Sequence, residues 1–285
     1  MNQAFINWVN EVRQEQGHEQ IAIAGKTLRH SFQCDHGSAL YSITAWSKQQ
    51  GLILAQMKSL GKKNENASVL VLLDTLNING ALISVDAMNT QKKIADKIIG
   101  RGADYVLCVK NNHRELRNEI AAYFIKVSHD NPEFLAEFEE TDAGHGRTEV
   151  RGYRQLRVNE WITESAHWRG LQTVTEVERE RHTSKTDQPS CEKQYYISSL
   201  SLDVEKIAWA IRSHWEVEAK SHWVLDVTFN EDDSRIRGGD GAENVAVIRR
   251  FAQNLARLRP QKDSMCSKLK QAGWSDKFRS EIIFG

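Results

Sequence analysis

Apolar side chains at Phe5, Trp8, Val9 and Val12 repeat with the i, i+3, i+4, i+7 spacing of an amphipathic helix. A helix of that kind at the start of a chain needs a partner to cover its apolar face. Ile21 to Gly25 follows as a short apolar run stopped by glycine, and Leu40 to Trp46 and Gly51 to Met57 read as two more strands. Three neighbouring short strands predict an antiparallel meander. From Asn64 to Leu76 the period becomes helical, Asn79-Gly80 supplies a turn, and Ala81 to Val85 is a buried strand with Asp86 directly after it. Thr90 to Arg101 is again helical, stopped by Gly102, and Tyr105 to Val109 is another strand. Strand, helix, strand implies parallel pairing, so the chain is predicted to be α/β, with a mixed sheet and flanking helices.

Arg114 to Val127 looks helical, and then the pattern changes. Between Pro132 and Leu200 the segments Thr148 to Arg151, Gln172 to Val177 and Tyr195 to Ile197 alternate polar and apolar residues as half-buried strands do. This predicts a β-rich insertion. Helix returns from Val204 to Trp223 and from Glu243 to Leu258. The expected organisation is a helical segment over 1–20, a first part of the main domain over 21–131, the insertion over 132–200, further helices over 201–259 and a basic tail over 260–285.

Composition narrows the function classes. The 285 residues are 40% hydrophobic and 27% charged with three prolines, which describes a globular chain. No apolar stretch approaches the ~20 residues of a membrane helix. No export leader is read at the start, so a cytoplasmic location and no membrane partner are expected. Cys34, Cys108, Cys191 and Cys266 form no C-x-x-C pair, which argues against a zinc ribbon or a disulfide framework. Thirty-eight basic residues balance 38 acidic ones, which counts mildly against a partner as acidic as DNA. Basic residues nevertheless gather at Lys92, Lys93, Lys97 and Arg101, at Arg147, Arg151 and Arg154, and at Arg249, Arg250, Arg257 and Arg259. Each group is either a binding surface or a solvated face.

Two carboxylates stand out. Asp86 follows a buried strand, where ligands of open α/β sheets gather, although an Asp there also starts turns and caps helices. Glu218 lies between His214 and His222, each four residues apart on one helix face. A zinc site on that face is discounted, because no H-E-x-x-H is present; a solvated helix face is the plainer alternative. Together, Asp86 and Glu218 suggest hard divalent cations. Mg²⁺ takes oxygen ligands, and two such ions about 4 Å apart activate an attacking hydroxyl and stabilise the leaving oxygen of a phosphodiester.

The strings IAGKTLRHS (Ile23 to Ser31), VDAMNTQKKIADKI (Val85 to Ile98), GADYVLCVKNNHREL (Gly102 to Leu116), HGRTEVR (His145 to Arg151), YYISSL (Tyr195 to Leu200) and HWEVEAKSHWVLDVTFNEDDSRIR (His214 to Arg237) occur in this order. In them the chain resembles the H-repeat-associated, ISAs-type DDE transposases of bacterial insertion sequences, from about Phe5 to Leu258. The resemblance implies an RNase H-like fold, dependence on Mg²⁺ or Mn²⁺, and cutting and joining of insertion-sequence DNA ends. It places the family's second aspartate on Asp86 and its glutamate on Glu218, the second Glu of HWEVE. The first aspartate falls on Ala24, which has no oxygen to give a metal, and Asp35 offers no simple replacement. Asp86 and Glu218 are thus the expected catalytic metal ligands, within metal-bridging reach of each other and with Ala24 beside them.

Lys26, Arg29, Lys92, Lys110, Arg147 and Arg212 are candidate DNA phosphate contacts, or else surface ion-pair partners. Family members usually carry a segment before the block matching Phe5 to Arg13. The resemblance therefore implies a truncated copy whose first helix has lost its neighbours. The expected activity is DNA transposition by metal-dependent strand cleavage and transfer, impaired by Ala24, with DNA and a second copy of the chain as partners. A non-catalytic DNA-binding or oligomerising remnant is the competing expectation.

Overall fold

The computed structural model describes residues 1–13, 19–31, 40–59, 64–144, 147–183 and 186–284. Asp35, the block His145-Gly146 and Cys34 lie outside the described residues. The chain divides into two compact units, residues 1–77 with 214–285 and residues 78–213.

In the first unit β1 (Gln20–Leu28), β2 (Leu40–Ser47) and β3 (Ile53–Ser59) form the expected antiparallel meander, Ala24 facing Thr44 and Lys26 facing Ser42 across β1 and β2. Gly25 does not end β1. A Cβ there would run into the Tyr41 hydroxyl, so the glycine lets the neighbouring strand's ring lie over the backbone. Ile21, Ile23, Ile43, Ile53 and Trp46 are fully buried.

Helix α1 (Asn2–Val12) packs on β3, and its Trp8 meets Phe251 edge-on at 4.6 Å. Phe5, Ile6 and Val9 are buried, which corrects the expectation of an uncovered opening helix: its apolar face has its partners within this chain. Helix α2 (Glu65–Thr75) packs on β2 and β3 through Val69, Leu72 and Leu73.

The second unit holds the parallel pair β4 (Leu82–Val85) and β5 (Asp104–Val109), joined by α3 (Lys92–Gly100) as the strand, helix, strand pattern requires. After α4 (Arg114–Asp130) come the long strands β6 (Ala136–Gly144), β7 (Arg147–Arg157), β8 (Thr173–Thr183) and β9 (Thr186–Ser198). These pair antiparallel in sequence order, and β9 also pairs antiparallel with β5. Burial along β7 alternates, which is the period the sequence showed. Tyr153, Val177 and Tyr196 on one face pack with Val106 and Cys108 against Ile207, Ala208 and Ile211 of α5 (Val204–His214). Elsewhere on these strands arginines pair with glutamates, as in Arg154 with Glu176 and Arg151 with Glu149.

The helix expected from Val204 to Trp223 is interrupted. It ends at His214, passes through a turn at Trp215, widens into a π turn over Glu218–His222, and continues as α6 (Trp223–Val227). Helix α7 (Gly241–Leu258) follows and docks on β3 through Asn254, whose amide accepts from Ile53 N at 2.9 Å and donates to Ile53 O at 2.8 Å. Residues beyond Pro260 carry two helices, α8 (Met265–Trp274) and α9 (Asp276–Phe284). Ser264 caps α8, and the Lys268 ammonium donates to Ala256 O and Arg259 O at 2.8 and 2.9 Å. That lysine thus satisfies carbonyls at the end of α7.

Candidate functional site

Asp86 sits at the carboxyl end of β4, where the chain must turn to enter α3. Its Oδ1 accepts from Asn89 N at 3.1 Å and Asn89 Nδ2 at 2.9 Å, a side-chain-closed turn of the kind Asp forms readily. Thr90 anchors that turn by donating to Cys108 O of β5 at 2.7 Å, and Asn112 donates to Ala87 O at 2.8 Å. Asp86 is half-buried, and among the described residues its Oδ2 is left unengaged.

Glu218 opens the π turn of the first unit and is half exposed. The buried His222 donates from Nδ1 to Glu218 Oε2 at 3.0 Å, while His222 Nε2 finds no partner among the described residues. That hydrogen bond is the chief cause holding the Glu218 carboxyl below the usual range; burial opposes it, and the charges of His222, His214 and Lys26 assist. Gln253 Nε2 of α7 donates to Lys220 O at 3.0 Å, and Arg257 Nη2 donates to the same carbonyl. Arg257 also lies over the Trp46 ring at 4.8 Å, and burial pulls its guanidinium down to about 10.

Ala24 is buried on β1 and shares a strand face with Lys26, two residues on. Lys26 is nearly enclosed. Its ammonium lies 2.6 Å from Asp226 Oδ1, 2.9 Å from Asp232 Oδ1 and 4.0 Å from Glu231 Oε2. Glu231 in turn pairs at 2.7 Å with Arg250, both fully buried. Ala24, Lys26 and Glu218 belong to the first unit, whereas Asp86 belongs to the second.

The other candidate cations differ in their engagement. Arg29 is exposed and pairs with Asp232 at 3.2 Å, Lys92 pairs with Glu164 at 3.3 Å, and Arg212 pairs with Glu140 at 3.3 Å and Asp142 at 3.2 Å. Lys110 and Arg147 are exposed without a salt bridge among the described residues. Asp226, Glu231 and Asp232 were given no role by the sequence reading. For Asp226 a signal was present: it continues the four-residue spacing of His214, Glu218 and His222.

Asp86 and Glu218 each offer a carboxylate with one oxygen held in place and, among the described residues, no hydrogen bond to the other, which suits monodentate coordination of a hard cation. Ala24 adds no oxygen. Among the described residues no three or more His, Cys, Asp or Glu side chains are grouped to hold a metal ion.

Residues 16–255 match the family model described as "Transposase DDE domain". YbfL of Escherichia coli (strain K12) is 36% identical over this whole chain, which covers 76% of YbfL. The H repeat-associated protein YhhI of the same strain is 35% identical with the same coverage. Among solved structures, a piggyBac transposase in a synaptic complex with hairpin DNA matches 95% of this chain with a TM-score of 0.50 and 12% identity. The chain spans 55% of that protein's length, and the likeness supports the fold, an RNase H-like mixed α/β arrangement. No helix among the described residues is long and apolar enough to cross a membrane. The match over most of the chain and the identity to YhhI along its whole length establish that the chain belongs to the DDE transposase family.

Proposed function

We propose that this chain derives from a DNA transposase that cuts and joins insertion-sequence ends with the help of Mg²⁺ or Mn²⁺, and that its own catalysis is impaired at Ala24. The observation that supports this reading is the placement of Ala24: it is buried on β1, on the same strand face as Lys26, whose ammonium is surrounded by Asp226 and Asp232 in the unit that also carries Glu218. An aspartate at position 24 would add an oxygen donor to that environment, and alanine removes one.

Asp86 and Glu218 are the residues that would hold the metal. Bound divalent ions supply activation of an attacking hydroxyl and neutralisation of the leaving oxygen. The chain's own contribution is to fix the carboxylates: Asn89 and Thr90 set Asp86, and His222 sets Glu218. Lys110 and Arg147 are the exposed candidates for DNA phosphates; Lys26 acts within the protein as a counter-ion to Asp226 and Asp232. DNA in the cytoplasm is the substrate class, and a second copy of the chain is the expected partner.

The absent oxygen at Ala24 also favours a second reading, a remnant that binds DNA or an intact relative without cutting. Nicking of supercoiled DNA and salt-dependent DNA binding, measured on one preparation, separate the two. Mg²⁺- or Mn²⁺-dependent nicking that Ala24→Asp enhances supports the enzyme. Binding that weakens steeply with salt, with no nicking by either protein, supports the remnant.

A further inference from the structure

A regular α-helical turn closes from residue i to i+4, whereas a π turn closes to i+5 and accommodates one additional residue. The wider ring is less stable and frees backbone carbonyls, so it persists where neighbouring groups satisfy them. Here the turn covers Glu218–His222. Its middle carbonyl, at Lys220, accepts from two side chains of α7, Arg257 and the fully buried Gln253. At its far end the buried His222 holds Glu218 Oε2 at 3.0 Å. Ser221 and His222, adjacent in sequence, are both buried, while Glu218 stays half exposed.

We propose that the π turn is a positioning device for Glu218: Gln253 and Arg257 key its backbone to α7, and His222 fixes the carboxylate that the turn presents. His222, Gln253 and Arg257 are positioning residues. The inference rests on the reading of Glu218 as a metal ligand, and it adds which residues aim that ligand. The backbone contact at the Lys220 carbonyl, two residues along the turn, thus controls where the carboxylate lies.

The test uses the full chain and two readouts. Hydrogen exchange of the backbone from Glu218 to Val227 is followed in Arg257→Met, which keeps an aliphatic stem over Trp46 but removes the donor, and in Gln253→Leu. Mn²⁺ titration by electron paramagnetic resonance is carried out on Ala24→Asp, alone and combined with Arg257→Met, Gln253→Leu, His222→Phe, His222→Asn or Glu218→Gln. The expected result is faster exchange confined to the turn and α6, with Mn²⁺ affinity falling about tenfold, close to the loss from Glu218→Gln. His222→Asn, whose amide can donate from nearly the same place as Nδ1, should restore most of what His222→Phe loses.

Should Gln253→Leu fail to fold, Arg257→Met decides alone. Unchanged exchange in the turn and unchanged Mn²⁺ affinity, in a protein where Glu218→Gln does weaken Mn²⁺, would overturn the positioning role and leave the ligand assignment standing. If Glu218→Gln itself has no effect, the ligand assignment fails, and the positioning of a metal ligand fails with it.

Discussion

Asp86 and Glu218 each accept a hydrogen bond from a residue three or four places on, Asn89 and His222, but the turns that carry them are supported differently. Asp86 is fixed by residues that immediately follow it, Asn89 closing a turn on its Oδ1 and Thr90 tying that turn to β5. The π turn that carries Glu218 depends in addition on groups far along the chain, since its Lys220 carbonyl accepts from Gln253 and Arg257 of α7. A locally closed turn tolerates change elsewhere, because its hydrogen bonds form within a few residues. A turn assembled from a helix in another part of the sequence is exposed to every perturbation of that helix.

The largest expected effect comes from the buried pair that anchors α7. Arg250 is fully enclosed, donating to Glu231 and to Ala246 O. Arg250→Met leaves Glu231 as a buried charge deprived of its closest partner, and the loss should be about 3–5 kcal/mol in urea unfolding. Exchange should rise around Glu218 and change little from Asp86 to Thr90. A loss below about 1 kcal/mol would show that α7 is not the support claimed for it.

Thr90→Val gives the converse, smaller perturbation. It removes the donor to Cys108 O and should cost about 1 kcal/mol. Here exchange should quicken from Asp86 to Asn89 and stay unchanged in the π turn. A matching rise at Glu218 would erase the distinction between the two carboxylates.

The same contrast explains what the sequence made legible. The meander, the β4 to α3 to β5 crossover and parts of β7, β8 and β9 follow from period and turn residues, which are local properties, whereas β6 was not read as a strand. Asp86 stood out for that reason: an Asp directly after a buried strand is a local signal. The π turn was missed, because its spacing of His214, Glu218 and His222 fits a regular helix equally well and only α7 shows why it widens. Gly25 was read as a stop, since the Tyr41 ring that needs its space comes from the next strand. The helices beyond Pro260 were read as a basic tail, although Ser264 offered a capping signal, because lysines such as Lys268 bury against carbonyls that sequence alone does not place. Likewise, Lys26 reads in the sequence as either a phosphate contact or an ion-pair partner, and Asp226 and Asp232, which engage it as the latter, lie about 200 residues on.

Calorimetric titration of the parent and Ala24→Asp with Mn²⁺, at one pH and salt and with circular dichroism confirming equal folding, tests the assignment of the vacant ligand position most directly. The account predicts binding at least about tenfold tighter in the substituted protein, equivalent to about 1.4 kcal/mol, and loss of that gain when Asp86→Asn or Glu218→Gln is added. A folded Ala24→Asp protein that binds Mn²⁺ no better than its parent would contradict it, and position 24 would not be the site of the missing ligand.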